Sequence, residues 1–527
     1  MSTVTSPQPA ELPPPGPEPA EVHDDEPPPP GIVSLDLRSL ALFRIVFGAV
    51  ILLDLLFRLP EIDDFYADGG VLPRSYLISL SRGLGGFSLH YISGQPVVQL
   101  AIFLGIIAAI CCFIVGYRTR RSTVVAWLLI LSMQGRNPFV LHGGDDMIRI
   151  LLFWSIFAPL NGRWSLDAAL NRDNAPLPVQ NASWGTQALM FQLCFVYWFT
   201  AAWKWHPVWT TEGSALYYAL NIDQFARPFG KWLLQFPDLL RFMTRATISL
   251  EFFGPFLLFI PVYTRWFRIL AMLSFIGLHM GIFLTMQIGL FPWICMAAWL
   301  MFLPSMVWDR AEVVAGGLLK SLRRYAESFR ARTAEALGRF VARFGKPPAP
   351  REELGLVGGV FVVAYSLMIF VANFMTLPTV NARVPVPIAL AEMLVGLHQR
   401  WAMFAPYPMT KDGWFQIVGT RDDGRKIDIW NGGEPTDAKP QSVADAYRDV
   451  RWNKYLSLIA FDQGARFRPY FGAYLCRSWN ASHQDVSRVR HVAINYLVET
   501  TPPPGKPFPP LEKEALWQQS CPDEAHS

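Results

Sequence analysis

The sequence predicts an all-α polytopic membrane bundle of about nine transmembrane helices, with a smaller C-terminal α+β domain outside the membrane. Three observations lead there. Of 527 residues, 52% are hydrophobic and only 17% charged, where a soluble chain carries roughly a quarter charged residues. Nineteen Trp and 38 Phe suit a protein rich in interfacial aromatics. Apolar runs recur from residue 38 to residue 376, after which the chain turns polar. The formal charge of +4 is too small to argue for nucleic acid, and no nucleic-acid-binding motif occurs. Cys111, Cys112, Cys194 and Cys295 lie in apolar spans and read as packing, while Cys476 and Cys521 lie in the polar part. No CxxC or zinc spacing is present, so no metal site is expected.

Residues 1–31 are a Pro-rich tail that cannot bury a core, and they have no basic n-region ahead of an apolar run. The first span, 38–58, is interrupted by Arg44 and Asp54, which should face the bundle interior. A loop with turn chemistry at Asp68-Gly69-Gly70 follows. Further spans are expected at 96–116, 123–141, 147–160 and 185–203. From 205 to 244 the chain is too broken to cross and reads as interfacial helices or a re-entrant element. Spans at 246–261, 267–284 and 288–304 close the membrane domain, 32–305. Residues 306–352 form a basic amphipathic segment, 353–376 hold the last span, and 377–527 form the outer domain. There, alternation around Asp423-Gly424 predicts a β-hairpin, 440–460 reads as helical, and the last residues read as loose. Nine spans with the N-terminus cytoplasmic put every arginine cluster inside, and leave Lys204 and residues 377–527 outside. Cys476 and Cys521 would then share an oxidising compartment, where a disulfide can form.

The stretch FVYWFTAAWKWHPVWTTEG ends a span on Lys204. That lysine is either a snorkelling anchor in an aromatic belt or a working group. Glu251 and His279 also sit inside spans, and the topology places all three toward the outer face. Desolvation disfavours an ammonium and would free Lys204 to act as a base, while direct pairing with Glu251 would oppose this. Glu251 read structurally is a pair that specifies the bundle, and His279 a hydrogen-bonded structural group. Asp145, Asp146 and Arg149 read as a helix cap with an Asp145–Arg149 pair.

The chain resembles the HTTM family, whose members share a domain with vitamin K-dependent γ-glutamyl carboxylase. The motifs are LFRIVFGAVILLDLLFR with YADGGVLPR, WSLDAAL, Lys204 with Trp209 and Gly213, His279 with Gly289-Leu290-Phe291-Pro292-Trp293, and LHQRWAMFAPYPMTKDGWF. The resemblance covers most of 35–430. It implies that Lys204 is the base that deprotonates a vitamin K-type hydroquinone, with His279 in the same site. It further implies Glu251, Trp203, Trp209 and Phe291 around the reduced naphthoquinone. Oxygen and carbon dioxide would be co-substrates, and a protein or peptide glutamate the substrate. The carboxylase has an Asn–His pair where this chain reads HGGDDMIR, with Gly144 opposite the histidine and His142 two residues away. Two functions are therefore carried forward. One is a quinone-dependent, carboxylase-like lyase or oxidoreductase in the lipid bilayer. The other is a non-catalytic transporter or assembly partner built on the same bundle.

Overall fold

The computed structural model describes residues 31–81, 88–171, 177–314, 338–339, 343, 345–350, 354–483 and 485–522. The expected tail and most of the basic segment at 306–352 lie outside them. Four described helices are long and apolar enough to cross a membrane: Leu37–Phe65, Pro96–Val115, Thr264–Thr285 and Leu356–Met375. A fifth crossing is counted if Phe291–Phe302 and Ser305–Val314, bent by 87°, act as one. The chain is an integral membrane protein on these helices.

Helix α1, Leu37–Arg58, starts on Asp36, whose carboxylate accepts the Arg38 backbone N–H at 2.7 Å. The two charges expected to face inward do so. Arg44 donates to the carbonyls of Ile114, Leu160 and Trp164, which gathers three chain exits around one guanidinium. Asp54 accepts from Arg58 at 2.7 Å and from Arg451 at 2.6 Å. Helices α2, Pro96–Val115, and α3, Thr119–Arg136, form a hairpin. Gly116 makes its turn in the left-handed region, φ +69°. Asp167 holds the start of α3, accepting from the backbone of Arg118 (2.6 Å) and Thr119 (2.9 Å). Helix α4 is Gly143–Ser155 and helix α5 is Trp184–Trp203. Helix α6, Pro237–Phe253, runs into a 3-10 turn, and helix α7 is Thr264–Thr285. Helix α8, Phe291–Trp299, leads into the bend, and helix α9 is Leu356–Met375.

The segments expected to span at 123–141, 147–160, 185–203 and 246–261 correspond to α3, α4, α5 and α6. They are short or carry polar and ring residues, and α4 and α5 are buried on most sides. Protein, more than lipid, surrounds those two helices. Between α5 and α6 lie Ala215–Asn221 and Pro228–Leu233, with Phe229, Trp232 and Phe236 exposed.

The C-terminal part carries a four-stranded antiparallel sheet. Strands β1 (Lys411–Arg421), β2 (Lys426–Asp428), β3 (Val489–Thr500) and β4 (Glu512–Ser520) lie in the order β2-β1-β3-β4. The hairpin at Asp423-Gly424 is β1–β2, and the helical stretch includes α10, Val450–Ala460. One expectation is corrected: residues 512–521 are not loose. Strand β4 pairs along β3, and a Cys476–Cys521 disulfide ties the residue after it to helix α11, Arg468–Ser482. The sheet part is anchored to the bundle by Arg451 on Asp54 and by Tyr474, whose hydroxyl donates to Asp64 at 2.7 Å.

Candidate functional site at Lys204

Lys204 and Tyr197 are seven residues apart, two helical turns, and so share one face of α5. That face meets α6, α7 and α8. Lys204 closes α5 as its C-cap, and the chain then folds back through Trp209 to a left-handed turn at Gly213, φ +69°. The Lys204 Nζ donates to both carboxylate oxygens of Glu251, at 2.7 and 2.9 Å. It also lies 4.5 Å from the centre of the Trp209 ring. Lys204 is 5% exposed and Glu251 6%, so this is a buried ion pair, not a lysine reaching for headgroups. The snorkelling alternative is excluded by that geometry.

His279 sits on α7. Its Nε2 is 2.8 Å from the Tyr197 hydroxyl oxygen, which also accepts from the Trp299 indole N–H at 2.8 Å. Phe275 stacks on Trp299, with ring centres 4.2 Å apart. Phe291, at the start of α8, meets His279 edge to face at 5.8 Å. Lys204, Glu251 and Trp209 thus form one group, and His279, Tyr197, Trp299 and Phe291 a second, two turns along the same face of α5. Trp203 is buried but carries the Arg400 guanidinium over its ring at 4.4 Å. The His279 Nδ1 is buried with no hydrogen-bond partner among the described residues.

Tyr197, Trp299 and Phe404 were not singled out from the sequence. Tyr197 reads as one more aromatic in an apolar run, although its i, i+7 relation to Lys204 is visible. Phe404 joins through its backbone: its carbonyl accepts from the Trp209 indole at 3.2 Å, and it stands at φ +53°. It belongs to LHQRWAMFAPYPM, which the structure draws against the site. There Trp401 donates to Gln399 (2.6 Å), and Gln399 Oε1 also accepts from Gln192 Nε2 on α5 (2.8 Å).

The second polar group keeps the expected helix cap, in which Asp145 takes part, but its ion pairing differs from expectation. Asp145 does not pair with Arg149. It pairs with Arg58 and accepts the His142 backbone N–H at 3.0 Å, while Arg149 pairs with Asp146 at 2.7 Å. The reason is α1: the Arg58 guanidinium is fully buried and needs a second carboxylate besides Asp54. His142 caps α4 by accepting the Gly144 N–H at 3.0 Å. Asp167 of WSLDAAL is likewise a cap. These groups build the frame.

Two surface cavities lie elsewhere. One, about 230 Å³, is lined by Trp430, Arg448, Tyr474 and Trp479; the other, about 470 Å³, by Val115, Trp164 and Ser165. Among the described residues no cluster of His, Cys, Asp and Glu is arranged to hold a metal ion.

The model of the HTTM domain matches residues 33–308, just over half the chain and the whole of the Lys204 site as far as α8. No curated protein and no solved structure matches. The motif order read from the sequence and this match agree, and the chain belongs to the HTTM domain family.

Proposed function

We propose that this protein is a multi-pass membrane enzyme of the γ-glutamyl carboxylase-like type, in which Lys204 and Glu251 together take a proton from a reduced, vitamin K-type naphthoquinone. The carrying observation is the buried Lys204–Glu251 pair beside the Trp209 ring, next to a histidine with an unpartnered nitrogen. The surroundings suit a flat, apolar ring with polar oxygens: Trp209 and Phe291 supply ring contacts, and His279 and the pair supply polar ones. Nine spans with a cytoplasmic N-terminus would put this site toward the outer face and residues 377–527 outside.

A paired lysine is not a free amine, so the base is better treated as the pair. As ammonium and carboxylate it is neutral overall. On accepting one proton it becomes ammonium and carboxylic acid, with a net charge of +1. That charge stands beside the oxygen that lost the proton. At about 5 Å and an effective dielectric of about 20, the attraction is about 3 kcal/mol. Glu251 thus supplies the vacancy for the proton, and Lys204 keeps the positive charge in place. A bound quinol supplies an acidic hydroxyl and, with oxygen, a route to a stronger base. Carbon dioxide and a protein or peptide glutamate complete the carboxylation reading.

The direct pairing also favours a second reading, in which the ion pair only specifies the packing of α5 on α6. The chain would then be a non-catalytic transporter or assembly partner. Mass spectrometry of small molecules that co-purify with wild type and with Lys204→Ala separates the two. A naphthoquinone retained by wild type and lost from the variant supports the enzyme. Identical bulk phospholipid in both supports the second reading.

A further inference from the structure

The quinol reading leaves open what His279 does, and its hydrogen bonds decide that. His279 is 2% exposed, and the Tyr197 ring is buried beside it. Three polar groups meet at the Tyr197 oxygen. The Trp299 indole can only donate, so the Tyr197 oxygen accepts from it. The 2.8 Å contact between Tyr197 and His279 Nε2 then has two arrangements. If Nε2 carries the proton and donates, both partners of the Tyr197 oxygen are donors, and the Tyr197 O–H finds no acceptor in either of them. His279 Nδ1 would also be an unpaired acceptor, which makes two poorly satisfied groups. If instead Tyr197 donates to Nε2, the ring proton must sit on Nδ1. A single group, the Nδ1–H, is then unpaired. Each buried unpaired group carries its full desolvation penalty, so the second arrangement is favoured.

We infer that Tyr197 fixes His279 as its Nδ1–H tautomer, making the histidine a hydrogen-bond donor to an acceptor oxygen of the ligand. This rests on the quinol reading for the identity of the ligand, but not for the tautomer. Tyr197 is the positioning residue and Trp299 orients it. The division of labour in the site follows. The Lys204–Glu251 pair takes the proton, while His279 holds an oxygen of the same ring system by donation and takes none. A carbonyl or deprotonated hydroxyl oxygen is the acceptor that an Nδ1–H donor would hold.

Solid-state NMR of the full chain in lipid bilayers, with 15N-labelled histidine, tests this. The His279 signals are assigned by their loss in His279→Gln. The expected wild-type spectrum has the proton on Nδ1 and a bare Nε2. Addition of a short-chain 1,4-naphthoquinone should shift the Nδ1 signal, and Tyr197→Phe should move part of the population to the Nε2–H form. A wild-type Nε2–H or cationic ring overturns the inference, whatever the quinone does. An unchanged tautomer in Tyr197→Phe overturns the role of Tyr197. An Nδ1–H ring that ignores the quinone, with Lys204→Ala still changing the co-purified quinone, overturns the donor role but not the enzyme reading. An Nδ1–H ring that ignores the quinone, with no quinone retained by wild type, removes the ligand from both. The wild-type spectrum decides the tautomer even where a variant fails to fold.

Discussion

Removing one partner of the Lys204–Glu251 pair should cost more stability than removing both. The Lys204 nitrogen lies 2.7 and 2.9 Å from the two carboxylate oxygens. At an effective dielectric of about 20 the gross attraction is about 6 kcal/mol. Both groups gave up water to reach that geometry, since they are 5% and 6% exposed. Much of the attraction therefore only offsets desolvation. Lys204→Met leaves a buried carboxylate without its cation, and Glu251→Leu leaves a buried ammonium facing Trp209. Breaking such a pair costs roughly 3–5 kcal/mol, whereas replacing both partners by apolar groups is often neutral or stabilising. The double variant should then lose less than either single one, with a coupling above about 2 kcal/mol. Thermal and denaturant unfolding of the four proteins in lipid nanodiscs gives the cycle. Additive losses, with no coupling, would refute the claim that the two charges form one unit. They would also remove the argument that the pair accepts a proton as one base.

Other expectations follow from the same geometry. Asp167→Ala removes a carboxylate that accepts from two backbone N–H groups, the Thr119 hydroxyl and the Asn161 amide; it should cost about 2 kcal/mol and unsettle the α2–α3 turn, read as a lower melting temperature. Cys476→Ala opens a link of sequence separation 45, worth about 4 kcal/mol in the chain-entropy account, and the same loss should appear in wild type on reduction. Burial, with the Asp223 charge beside it, pushes the Asp412 carboxyl up to about 7, above the ordinary value of about 3.9. Its contribution to stability is therefore full below about pH 4 and lost as pH rises through about 7. Asp412→Asn, whose side-chain oxygen can still accept the Asp223 N–H, should flatten the fall in melting temperature between pH 5 and pH 8. An unchanged slope would show that Asp412 is not its source.

The sequence made the apolar helices and the ionisable residues among them legible, but not their bonding. Lys204, Glu251 and His279 stood out because ionisable groups in apolar helices are costly and few. Shared depth was enough to group them. Whether Lys204 met Glu251 depends on the rotation of α6 about its axis, which periodicity does not fix. Tyr197 was hidden by its own composition, an aromatic among aromatics. The spans at α4 and α5 were read from apolarity alone. Apolarity does not distinguish a helix in lipid from one wrapped in protein, and these two are mostly wrapped. Arg58 shows the same limit in the polar frame. Its claim on Asp145 comes from a helix 87 residues away in the chain, so the local Asp145–Arg149 spacing misled. Strand β4 was missed because EKEALWQQS is an exposed edge with little alternation, held by its neighbour β3 and by the disulfide.

The central claim is that the Lys204–Glu251 pair takes the proton of a bound quinol. The most direct measurement is the anaerobic absorption spectrum of a reduced short-chain naphthoquinone bound to the protein in nanodiscs, near neutral pH. Wild type should give the spectrum of the deprotonated quinol, and Lys204→Met and Glu251→Gln that of the neutral one. A neutral spectrum in wild type, with the quinol bound, would contradict the account.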